Sequence, residues 1–310
     1  MNILLTGGAG FIGSHIADLY IDEGHDVIII DNLTSGIGEN IHTKARFIEA
    51  DIATADFDKI LRGLKIDVIN HHAAQIDVRT SVADPVTDLR ANVEGTVRLL
   101  EFAVKNNVNK FMFASSGGAV YGEQTEFPAD ENHTKSPLSP YGISKLTAEK
   151  YIKFFSMYHG LPYSILRYSN VYGPRQSLKG EAGVVGVFCK KIATGEKAII
   201  NGDGKNTRDL VYVEDVASAN LKAMKSNLNC TINISTKKEI DINTVYEEIR
   251  KCFGSDAKPE HGPEIKGEQK RSVIDNRLAD VTIGWKPLHD FGSGIKKTCE
   301  WFKWNYKKNS

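Results

Sequence analysis

The chain has 310 residues, 41% of them hydrophobic, enough to bury the core of one large α/β domain or two smaller ones, which excludes a mainly disordered protein. Lysine plus arginine and aspartate plus glutamate each number 39, so no net charge draws the whole surface to nucleic acid or to an anionic membrane. No apolar stretch reaches the length of a secretory core or a membrane span; Met1 is expected to begin the mature, cytoplasmic protein.

Through the first half, short β-branched runs alternate with longer amphipathic stretches, the pattern of repeated βαβ units and of a parallel sheet covered on both faces. Strands are predicted at 2–6, 26–30, 46–49, 67–72, 110–115 and 163–167, with helices at 11–23, 56–62, 86–106 and 141–159. Six such strands predict an α/β fold with a doubly wound parallel sheet of the Rossmann type. After Arg167, turn signals at 173–175, 180–186 and 202–204 predict a smaller C-terminal α/β lobe. Strands expected at 210–213 and 231–234 are read as returning to the main sheet, and helices at 187–194, 243–253 and 294–303 as belonging to the lobe or its edge. The predicted division is therefore a main domain of 1–168 joined by 210–234, and a substrate lobe of 169–209 with 235–310. The lysine-rich end, 306–310, reads as a solvated tail.

Cys189, Cys230, Cys252 and Cys299 are far apart and form no paired motif, as expected of buried thiols in a reducing compartment. His71 and His72 are adjacent on a predicted strand and point to opposite faces, so they cannot clasp one ion, and no metal is expected.

Gly7, Gly10 and Gly13 lie between the first strand and the first helix, where a dinucleotide pyrophosphate meets backbone N–H groups and a helix N-terminus. Asp31 closes the second strand, at the spacing of an acid that accepts from an adenosine ribose and repels the 2′-phosphate of NADP. The predicted cofactor is NAD. Asp51 suits either the adenine amino group or a helix N-cap.

Tyr141 and Lys145 lie one turn apart on one helical face, so their heads can serve one site. A tyrosine with a pKa of ~10 is a poor base, but a neighbouring ammonium favours its phenolate and makes alcohol deprotonation feasible.

The chain resembles the extended short-chain dehydrogenase/reductase family, and most closely its UDP-sugar 4-epimerases of the UDP-glucose/UDP-galactose type. The resemblance runs through Thr6–Gly13, Asp31-Asn32-Leu33, Asp51-Ile52, His72–Gln75, Asn92–Thr96, Ser115–Gly122, Tyr141–Lys145, Arg167–Arg175, Thr207–Asp215 and Gly267-Glu268. It implies an NAD site lined by Gly7, Gly10, Phe11, Ile12, Gly13, Asp31, Asn32, Ser35, Gly36, Asp51, Ile52, Ala73, Ala74, Gln75, Asn92, Ser115, Tyr141, Lys145 and Tyr168. It also implies that Asn170, Val185, Arg208 and Glu268 hold the UDP-sugar, and that a homodimer forms by pairing helices at 86–106 and 141–159. The implied reaction inverts C4 of the sugar through a transient 4-keto intermediate.

The chain departs from its relatives at two places. A serine or threonine that bonds the reacting oxygen falls in this register on Gly117, so Ser116 or a water must supply the hydroxyl. An arginine for the substrate phosphates falls on Ile265, with Lys266 as the substitute. Sugar-nucleotide dehydration needs an acid and a base where this chain has Gly118 and Ala119, which disfavours it. The remaining alternatives are 4-epimerisation of a UDP-glucuronate, UDP-N-acetylhexosamine or UDP-pentose, and a non-catalytic NAD-binding scaffold or sensor.

Overall fold

A computed structural model describes residues 1–176, 183–265 and 269–307. Strands β1 (Asn2–Thr6), β2 (Asp26–Asp31), β3 (Arg46–Glu49), β4 (Val68–His71), β5 (Lys110–Ser116) and β6 (Tyr163–Tyr168) alternate with helices as the apolar runs require. The chain continues through β7 (Asn170–Tyr172), β8 (Ile199–Asn201), β9 (Thr207–Tyr212), β10 (Cys230–Ile234), β11 (Glu239–Asp241), β12 (Glu260–Gly262) and β13 (Arg271–Ser272). The main sheet has the order β10-β6-β5-β4-β1-β2-β3, and every pairing in it is parallel. Its winding reverses between β1 and β4, the switch point that opens a crevice at the carboxyl ends of the strands.

Both faces of the sheet are covered, which is why its strands are nearly unbroken apolar runs. One face carries Leu5, Ile29 and Ile232 against the helices Phe11–Asp22 and Val213–Lys225, and the other carries Leu4, Ile69 and Phe113 against Gly95–Lys105 and Pro140–His159. A separate core in the smaller lobe joins Val185 and Phe188 of the helix Val184–Ala193 to Tyr246 and Ile249 of Ile242–Phe253 and to Cys299 and Phe302 of Phe291–Lys307.

Two expectations are corrected. The strand foreseen at 210–213 does not return to the main sheet: β9 pairs with β7, β11 and β13 in a second sheet, and β10 alone completes the first. The helix foreseen at 86–106 is Pro85–Leu89 and Gly95–Lys105 with a π-turn, Arg90–Glu94, between them. That wide turn lets Asn92 point at the loop after β4, while Thr96 Oγ1 donates to the freed carbonyl of Asn92 at 2.7 Å.

Candidate active site

At the end of β1 the backbone of Gly7 is left-handed (φ +71°), a conformation that strains a side chain. A Cβ on Gly7 would lie 2.6 Å from Ala73 N, and one on Gly13 2.2 Å from Gly7 O, so the turn closes only with glycine at both places. Gly10 starts the helix Phe11–Asp22 without a side-chain cap, which leaves its first N–H groups for an external acceptor. The buried Asp31 carboxylate is fixed beside this turn, with Oδ2 accepting from Ala9 N at 3.0 Å and Oδ1 from Leu33 N at 2.9 Å. Gly36 presses on it, since a Cβ there would be 2.8 Å from Asp31 Oδ1, and the exposed Ser35 adjoins. A cradle that side chains would fill, beside a fixed carboxylate, fits the pyrophosphate and ribose of NAD.

Asn32 donates to Asp51 Oδ2 at 2.9 Å, and Asp51 Oδ1 accepts from Ala53 N at 2.8 Å. Asp51 thus ties the loops after β2 and β3 together; the next helix, Phe57–Ile60, is capped by Asp56. Ile52 is buried against Gly95, where a Cβ would come within 2.8 Å of its Cδ1. Phe11 and Ile12 pack against the core of the smaller lobe.

After β4, Ala73 N and His72 N donate to Thr6 Oγ1 at 3.1 and 3.2 Å, and Thr6 Oγ1 meets His71 Nδ1 at 2.7 Å. His71 Nε2 donates to Thr96 Oγ1 at 3.0 Å; burial holds the ring well below its usual pKa, so it stays neutral. Ala73 and Ala74 are therefore carried on a backbone anchored to both neighbouring elements. Gln75 N donates to Asn92 Oδ1 at 3.0 Å, and Asn92 Nδ2 returns a bond to Gln75 O at 2.9 Å. Both side chains then converge on Asp88, a buried carboxylate that the sequence reading does not single out. Its one sequence signal is the i, i+4 spacing to Asn92.

The reacting helix, Pro140–His159, starts at a proline with Ser139 as N-cap, its hydroxyl accepting from Gly142 N at 3.2 Å. A Cβ on Gly142 would be 2.7 Å from Ala119 O, so glycine is what lets this helix press on the segment after β5. Lys145 is buried, donates to Ala114 O at 3.0 Å, and has its Nζ 5.8 Å from the centre of the Tyr141 ring. Burial pushes its ammonium down to about 8, against the pull of Asp88 and Glu149.

Ser116 ends β5 opposite Tyr168 and does not cap the short helix Gly117–Val120, so its hydroxyl is left at the carboxyl edge of the sheet. The neighbouring glycines differ. A Cβ on Gly117 would meet Ile274 Cδ1 at 2.5 Å, whereas among the described residues one on Gly118 would meet nothing within 4 Å. Ser115, expected at the cofactor, turns its hydroxyl into the protein, donating to Glu149 Oε1 at 2.6 Å; strand alternation sends it to the face opposite Ser116. Glu149 also receives a two-pronged bond from Arg167 at 2.9 and 2.6 Å, a buried pair beneath the reacting helix. Tyr168 is buried, takes a bond from Asn220 at 2.8 Å and stacks on His72, whose ring burial pushes down to about 3.

Among the residues expected to hold the substrate, Asn170 is exposed on β7 and Arg208 half-buried on β9, two paired strands reached just past Tyr168. Arg208 Nη1 donates to Thr207 O at 2.8 Å. The adjacent Asp209 faces the other way, buried and holding Thr236, Lys237 N and Ile274 N. Val185 is in the lobe core, so its side chain is not at the site; what it can offer is backbone in the first turn of Val184–Ala193. Glu268, with Lys266, lies outside the described residues.

The sequence profile of the NAD dependent epimerase/dehydratase family matches residues 3–235. A UDP-glucose 4-epimerase of Mycolicibacterium smegmatis is 40% identical, over 98% of this chain and 99% of its own. The structure of a Thermotoga maritima UDP-glucose 4-epimerase with UDP-glucose superimposes with a TM-score of 0.96 at 43% identity, covering 98% of this chain and 99% of that one. A UDP-N-acetylglucosamine 4-epimerase of Methanobrevibacter ruminantium gives 0.93 at 38% identity, covering 98% of each chain. With the glycine turn, Asp31 and the Tyr141–Lys145 pair on one edge of a parallel sheet, the chain belongs to the NAD dependent epimerase/dehydratase family of extended short-chain dehydrogenases/reductases, and its cofactor is NAD.

Proposed function

We propose that the protein is a 4-epimerase that interconverts UDP-glucose and UDP-galactose, acting as a homodimer in the cytoplasm. The observation that carries the reading is the junction of the reacting helix with residues 116–119. The helix that carries Tyr141 and Lys145 presses there on Ala119, whose carbonyl oxygen would lie 2.7 Å from a Cβ on Gly142, and Gly118 and Ala119 have no side-chain group to eliminate water. Tyr141 as phenolate takes the proton of the C4 hydroxyl, and the Lys145 ammonium stabilises that phenolate. Ser116 donates to the sugar O4. The chemistry supplied by NAD when bound is reversible hydride transfer at C4. Arg208 grips the diphosphate through its planar fork, so the sugar can turn and present its other face while the nucleotide stays anchored.

The Methanobrevibacter structure favours a second reading, in which the sugar carries an N-acetyl group. Assaying UDP-glucose, UDP-galactose, both UDP-N-acetylhexosamines, UDP-glucuronate and a UDP-pentose by kcat/KM separates them. The proposal expects the plain hexose pair to lead; leadership by the N-acetyl pair supports the second reading, and no turnover on any of them supports a scaffold.

The homodimer is supported by an apolar stripe left open on the reacting helix, with Tyr151, Phe154, Met157 and Tyr158 exposed. Val82, Val86 and Leu89, on the short helices that contact it, are also exposed.

A further inference from the structure

Asp88 is fully buried, yet it belongs to neither the glycine turn nor the reacting pair. Its Oδ1 accepts from Gln75 Nε2 at 3.0 Å and from Asn92 Nδ2 at 2.9 Å, and its Oδ2 from Ser144 Oγ at 2.6 Å. Those three donors come from the loop after β4, the π-turn and the reacting helix, where Ser144 directly precedes Lys145. A neutral side chain could satisfy such donors, so a buried carboxylate here calls for a reason beyond hydrogen bonding. We infer that Asp88 is a positioning residue for the reaction: it clamps the reacting helix to the cofactor loop through Ser144, Gln75 and Asn92, and so brings a carboxyl group to the helix turn that carries Lys145.

Of the charged groups around Lys145, Asp88 exerts the larger pull toward the ammonium. Glu149 pulls in the same direction but is itself bonded to Arg167 and Ser115. His71 and His72 are neutral, and Tyr141 is the group the ammonium serves. The pull of Asp88 on Lys145 runs in the required direction. This role rests on Tyr141 and Lys145 being the reacting pair.

Two variants separate charge from clamp. Asp88→Asn keeps the shape and removes the charge. In protein labelled with 13C-lysine, the Lys145 Cε resonance, assigned by its loss in Lys145→Arg, should then titrate about one pH unit lower than in the wild type. The alkaline limb of kcat should move with it. Ser144→Ala keeps the charge and removes the bond to the reacting helix; kcat should fall about tenfold, the order of one lost hydrogen bond to a charged group, with the Lys145 midpoint unmoved. An unmoved midpoint in Asp88→Asn overturns the charge role, and unchanged kcat in Ser144→Ala overturns the clamp. If Asp88→Asn does not fold, Asp88→Ser with added acetate as a replacement charge takes its place: restoration of the midpoint by acetate supports the charge role, and a midpoint indifferent to acetate overturns it. The resonance reads Lys145 whether or not any UDP-sugar turns over, so failure of the proposed reaction and failure of this role are told apart.

Discussion

At the scale of single residues, the site depends on groups held away from their ordinary ionisation. Lys145 is depressed from 10.5 to about 8, so the folded protein binds fewer protons than the unfolded chain between those values. Its contribution to stability is therefore full above 10.5 and lost as the pH falls through about 8. At neutral pH the buried ammonium weakens the NAD-free fold, and Lys145→Met should stabilise it by about 2 kcal/mol once the lost bond to Ala114 O is offset. That advantage should shrink as the pH rises toward 10.5. Urea unfolding at pH 7 checks this, and a less stable Lys145→Met would contradict the burial argument. The glycines after Ser116 give a second comparison. Gly118→Ser meets none of the described residues and should leave stability within ~0.5 kcal/mol. Gly117→Ser must displace the buried Ile274 and should cost about 1–3 kcal/mol, so the missing hydroxyl of the family register is not restored there without strain. Ser116→Ala should lower kcat by ~10²–10³ if its hydroxyl faces O4, and a small effect would assign that bond to water.

At the scale of elements, close approaches of backbone at Gly7, Gly13 and Gly142 fix the geometry. Gly13→Ala would drive a Cβ to 2.2 Å from Gly7 O and should abolish NAD binding in calorimetry; retained binding would mean that the turn opens freely. The sequence made such elements legible wherever hydrophobic period and turn chemistry agreed. Strands β1 to β6 fall within about a residue or two of their predicted ends, and the glycine turn and Asp31 are where the motif puts them. The run expected at 210–213 belongs to the second sheet and not to the main one, because a short apolar run states that it is buried without stating its partners. β8 and β11 to β13 are two or three residues long and carry no period at all. The π-turn at 90–94 was hidden inside an unbroken helical pattern, since it arises from the contact between Asn92 and Gln75, 17 residues apart. Asp88 escaped for the same reason: its three donors are brought together only by the fold.

At the scale of the whole molecule, the ion pair of Arg167 and Glu149 joins β6 to the reacting helix with both side chains nearly sealed from water. Glu149→Ala should therefore cost about 3–5 kcal/mol, because it leaves a buried guanidinium unpaired. The same helix turns its other face outward, and if the proposed homodimer forms there, Phe154→Glu with Met157→Glu should yield a folded monomer in light scattering; an unchanged dimer would place the interface elsewhere. Sheet, reacting helix and lobe together are read as one device for oxidising and re-reducing C4 of a bound UDP-sugar. The most direct test is to give the purified NAD-loaded protein UDP-galactose, with no further redox partner, and to follow UDP-glucose by NMR in parallel with Tyr141→Phe. The account predicts approach to one equilibrium mixture from either sugar by the wild type, and NAD binding without interconversion by Tyr141→Phe; an inert wild type, or a Tyr141→Phe protein of near-native rate, would contradict it.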